Sequence, residues 1–85
     1  MVISSLVVET DPSITQQVAN KLINNTGVEV HEINEYKIVV TIEANTLDES
    51  HRIASSFVMV PGVIGVNLVY VNFEDDPTTR KVTTR

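Results

Sequence analysis

Apolar residues recur along this chain with two periods, every second position in some runs and at three- and four-residue spacing in others. The first run, ISSLVVE (Ile3–Glu9), is rich in β-branched residues and reads as a strand. Asp11-Pro12 then supplies a helix cap followed by Pro at the first helical position, where its missing N–H costs nothing. Ile14, Val18, Ala19, Leu22 and Ile23 follow at helical spacing, and Asn25-Thr26-Gly27 ends the pattern. VEVHEI (Val28–Ile33) and KIVVTIEA (Lys37–Ala44) are two more strands, joined through Asn34-Glu35-Tyr36, a loop short enough to force an antiparallel hairpin. Thr46 and Glu49 form a T-x-x-E capping box for a second helix whose apolar face is Leu47, Ile53, Ala54, Phe57 and Val58. Pro61-Gly62 closes it, and the apolar stretch VPGVIGVNLVYVNFEDD (Val60–Asp76) holds the last strand.

The order βαββαβ predicts an α+β, ferredoxin-like fold: one four-stranded antiparallel sheet in the order 4-1-3-2 with both helices on one face. Residues 1–74 form the domain, and the polar segment 75–85 has too little apolar material to fold and is expected to be disordered. Alternation assigns Leu6, Val8, Val28, Val30, Ile38, Val40, Ile42, Ile64, Val66 and Leu68 to the helix side. It leaves Ser5, Val7, Glu29, His31, Val39, Thr41, Asn67, Val69 and Val71 on a face that the chain's own helices do not cover, with Glu9 and Glu43 at its rim. Asn67, in the middle of an apolar strand, is explained by facing outward. Four valines among small polar residues are more apolar than a merely hydrated face requires, which suits a docking surface. The competing explanation is strand propensity alone, since Val and Thr stabilise a pleated surface whether or not anything lands on it.

Charge narrows the choice of partner. Net charge is −5, and its excess lies in residues 1–73, where Lys21, Lys37 and Arg52 are the only Lys or Arg residues. Nucleic acid needs clustered cations, and a stacking platform for RNA needs aromatics at the sheet centre, where Val7, Val39 and Val69 are expected instead. A cationic partner fits better. The sequence has no Cys, which removes disulfide and thiolate chemistry and is compatible with a reducing compartment. No basic leader and no run of about 20 apolar residues is present, so a soluble, cytoplasmic protein is expected.

Candidate chemistry is sparse. Glu29 and His31 stand two apart on one face, but a preformed metal site needs three or four ligands. His51 follows Asp48 on the second helix, an ordinary surface pair. No nucleophile with its base and no phosphate-cradling glycine loop occurs. Neither a metal nor a cofactor is expected, and the chain does not read as an enzyme.

SSLVVE (Ser4–Glu9), GVEVHE (Gly27–Glu32), KIVVTIEA (Lys37–Ala44) and PGVIGVNLVY (Pro61–Tyr70), in this order, resemble the NapD family, assembly chaperones of the periplasmic nitrate reductase. The resemblance runs from Ile3 to about Glu74. It implies a cytoplasmic protein that binds the twin-arginine signal peptide of the catalytic subunit, NapA, as a helix on the sheet, and delays export until the cofactors are in place. It implies contacts at Ser5, Leu6, Val7, Val8, Val69 and Tyr70; the open-face residues and the acids Glu9, Glu29 and Glu43 complete the expected site. A basic peptide with an apolar stretch needs an acidic rim beside an apolar surface. An ACT-like module that binds small molecules, or a dimerisation module using the same face, remains an alternative, and the chain is expected to be a monomer or weak dimer.

Overall fold

The computed structural model of the chain describes residues 1–72. The elements are β1 (Val2–Thr10), α1 (Thr15–Leu22), β2 (Val28–Asn34), β3 (Lys37–Ala44), α2 (Leu47–Phe57) and β4 (Val63–Asn72). The strands form one antiparallel sheet in the order β2-β3-β1-β4, and the expected ferredoxin-like arrangement is the observed one. The expected tail at 75–85 lies outside the described residues.

Local chemistry explains where the elements start and stop. Asp11 accepts hydrogen bonds from the backbone N–H and the hydroxyl of Ser13 at 3.0 and 2.9 Å, and so opens a 3-10 turn over Pro12–Ile14. These two bonds hold the Asp11 carboxyl below its ordinary pKa. The α-helix proper therefore begins at Thr15, one turn later than the Asp-Pro signal suggests. Thr46 accepts from Glu49 N–H at 3.1 Å, while the Glu49 carboxylate reaches the N–H of Asn45 rather than that of the cap residue itself. Gly62 closes the approach to β4 at φ +99°, with the side chains of Ile14 and Val18 occupying the space a Cβ would need.

The core lies between the sheet and the helices. Leu6, Val8, Ile38, Val40 and Ile42 from the central strands meet Val18, Ala19 and Leu22 of α1 and Phe57 of α2. Each Val, Leu, Ile or Phe side chain among them contributes about 1.5–3 kcal/mol by leaving water. Val28, Val30 and Val66, which the alternation also sends to this side, pack against the cluster. Two polar pairs are sealed beside it: Ser4 with Ser50 and Thr10 with Thr15, each with hydroxyl oxygens 2.7 Å apart. On β4 the coverage thins, leaving a groove of about 270 Å³ between α2 and the strand, lined by Leu47, Ala54, Val58, Val66, Leu68 and Val71 among others.

Candidate functional site

The side of the sheet away from the helices is assembled from four rows of side chains, because residues opposite one another in neighbouring strands share a face. One row, from β2 to β4, is Asn34, Lys37, Glu9 and Gly65. The next is Glu32, Val39, Val7 and Asn67, and the third is Glu29, Thr41, Ser5 and Tyr70. The last contains Glu43, Ile3 and Asn72. Ile3, Val7 and Val39 are half-buried without any helix over them, and Tyr70 is 60 % exposed. The face is thus apolar at its centre and acidic towards β2.

Three bulges redistribute residues relative to simple alternation. In β2, Val30 faces Val40 but Glu32 faces Val39, so His31 is the extra residue and Glu32 turns onto the open face beside Glu29. His31 stays on that face: its Nε2 shares a hydrogen bond with Thr41 Oγ1 at 2.8 Å and lies 3.7 Å from Glu29. In β4, Ser5 faces Tyr70 and Leu6 faces Leu68, which leaves Val69 without a partner on β1. The same shift turns Val71 to the helix side opposite Ser4, where it lines the groove, and brings Tyr70 to the open face. A further slip between Glu9 and Thr10 leaves Ile64 without a partner on β1, 67 % exposed.

These positions correct several expectations. Leu6 and Val8 are 2 % and 0 % exposed under the helices and cannot touch anything placed on the open face; they support it from beneath. Val71 is on the wrong side of the sheet, and Val69, 64 % exposed, sits in a bulge at the edge strand rather than at the centre. Ser5, Val7, Glu9, Glu29, Val39, Thr41, Glu43, Asn67 and Tyr70 are brought to one surface. Alternation missed Glu32 and Ile3. The first had a signal in the sequence, since the apolar residues Val28, Val30 and Ile33 skip three positions instead of two at the bulge. His51 lines the groove, and no ion pair links it to Asp48 among the described residues.

Where β2 begins, Gly27 offers no side chain beside Glu43, and its carbonyl accepts from Glu43 N–H at 2.8 Å. The result is a hollow of about 300 Å³ bordered by Gly27, Val28, Glu29, Thr41 and Glu43. An open, partly apolar face with an acidic concavity at one side is a surface for binding. It lacks a catalytic constellation, and among the described residues no group of three or more potential metal ligands converges.

The family model for the NapD protein matches residues 1–75. The chain belongs to the NapD family. Solved structures that match include the solution structure of the E. coli Tat proofreading chaperone protein NapD, with 26 % identity, a TM-score of 0.77, and coverage of 87 % of this chain and 80 % of that one. No curated protein matches the chain. NapD is a family of chaperones, so the chain is not an enzyme. Among the described residues no helix is long and apolar enough to cross a membrane.

Proposed function

We propose that the chain is a cytoplasmic chaperone that binds the twin-arginine signal peptide of NapA, the catalytic subunit of the periplasmic nitrate reductase, and delays its export until cofactor insertion is complete. The observation that carries this reading is the uncovered sheet face: half-buried Val7 and Val39 at its centre and Ile3 at one end, bordered by Glu29, Glu32 and Glu43, in a chain of the NapD family. A twin-arginine signal peptide has complementary halves, a basic end and an apolar stretch. Binding covers the segment that the export machinery must read, so an occupied peptide is a withheld one. Ordering a flexible peptide consumes several kcal/mol of the interaction, which keeps the complex reversible.

Docking across the face is favoured over strand addition at the β2 edge. The bulge at His31 interrupts the regular ladder there, and Glu29 and Glu32 turn their charge onto the face rather than along the edge. The test is calorimetric titration of the protein with a synthetic NapA leader peptide, beside a control with both arginines replaced by lysine. Saturable binding that weakens in the control is the expected result. No heat at high micromolar peptide would refute the assignment.

A further inference from the structure

Charge is unevenly distributed across the open face. On β2, Glu29 and Glu32 face Thr41 and Val39, with no Lys or Arg opposite either. At the far end of the central strands Glu9 stands opposite Lys37, so that row carries both signs. From Val63 to Asn72 the strand β4 has no charged residue, and it contributes Tyr70 to the face. A concavity of about 300 Å³ between Glu29, Thr41 and Glu43 is on the β2 side of this face.

We infer that the face is polarised across its strands, so that a twin-arginine peptide crosses them with its arginines over β2, at the hollow and Glu32, and its apolar segment running over Ile3 and Val7 towards Tyr70. This rests on the signal-peptide reading above. The planar guanidinium is the cation best suited to a carboxylate at a half-enclosed surface, because it can donate two parallel hydrogen bonds and is weakly hydrated. Glu29 and Glu32 lie opposite β3 residues two apart, about 7 Å along the strand, a spacing that two arginine side chains adjacent in sequence can span. Uncharged β4 is the side on which an apolar segment loses least on leaving water. Crossing three strand spacings covers about 14 Å, which a helical peptide spans in about nine residues and an extended one in about four.

The test uses the full chain, isotopically labelled, and a synthetic peptide of two arginines followed by an apolar segment, carrying a nitroxide either next to the arginines or about nine residues beyond them. The first label should broaden the amide signals of Glu29 and Glu32, and the second those of Asn67 and Tyr70. The opposite pattern, or both labels broadening the two ends of the same strands, overturns the polarity while leaving peptide binding intact. A second measurement is independent of labels: Glu29→Gln with Glu32→Gln should weaken the peptide about tenfold, and Asp48→Asn, which removes an exposed carboxylate on α2, by less than about twofold. Equal losses overturn the proposal. Absence of any binding by the unsubstituted protein removes the signal-peptide reading itself, and the polarity with it.

Discussion

At the scale of single residues, the sheet is specified as much by its exceptions as by its pattern. Ser4 and Ser50 are 3 % and 2 % exposed, and each hydroxyl has the other as its partner at 2.7 Å across the β1–α2 boundary. Replacing Ser50 by Ala leaves the Ser4 hydroxyl without its partner at the floor of the groove, at a cost of about 1–3 kcal/mol, a large share of the stability of a domain this small. Ser4→Ala combined with Ser50→Ala should cost less than the sum of the two single changes, because the second removes the group left unpaired by the first. Urea unfolding of the four proteins reads this directly, and strict additivity would show that the pair does not act as one. Other residue-scale features were legible in advance to different degrees. Asn67 announced itself as outward-facing in a run of apolar neighbours. Val71 and Tyr70 could not be placed, since one extra residue at Val69 exchanges their faces and LVYV reads equally well in either register. Gly65 beside Ile64 was the one sign in β4 of an irregular strand.

At the scale of elements, the sequence was far more informative, because caps and periodicity are local. The Asp-Pro start and the Thr-x-x-Glu start mark where the helices begin to within a turn, whereas Gly27 and Gly62 stand five residues past the helix ends at Leu22 and Phe57. What remained hidden was that the first turn after Asp11 is 3-10, a choice made by the Ser13 hydrogen bonds and by packing of Ile14 against the core. Those bonds favour the ionised Asp11, so its folded pKa lies below that of the unfolded chain. The unfolded state then binds more protons in the interval between the two values. Asp11 consequently stabilises the fold fully above the unfolded carboxylate value, and the contribution disappears as pH falls through the folded one. Asp11→Asn keeps an acceptor at the cap but cannot titrate. The wild-type protein should have the higher urea midpoint at pH 7, with the gap narrowing between about pH 5 and pH 2. A gap independent of pH would mean that the carboxylate charge plays no part in this cap.

At the scale of the whole molecule, two helices cover one side of a four-stranded sheet incompletely, and two apolar surfaces result. One is the open face with Ile3, Val7 and Val39; the other is the groove beside α2, where Leu68 and Val58 are each 60 % exposed. Pattern alone revealed the first, because it follows from placing both helices on one side. The second depends on how far α2 sits from β4, a tertiary distance that no local signal encodes. Apolar area does not tell the two apart as seats for a signal peptide, but charge does. The groove is lined by Ser4, Ser50, Ser55, His51 and apolar residues with no carboxylate, whereas the open face carries Glu29, Glu32 and Glu43. A peptide led by two arginines is therefore expected on the open face. Val7→Lys places a cation at its centre and should weaken a twin-arginine peptide by more than about tenfold, or about 1.4 kcal/mol. Leu68→Lys puts the same charge on the other side of the same sheet, at a position already largely in water, and should change affinity by less than about twofold. Both substitutions alter net charge equally, so a non-specific attraction between an acidic protein and a basic peptide would respond to the two alike. Unequal loss in the opposite sense, with Leu68→Lys the damaging change, would move the peptide into the groove beneath α2 and make the serines and His51 its polar contacts.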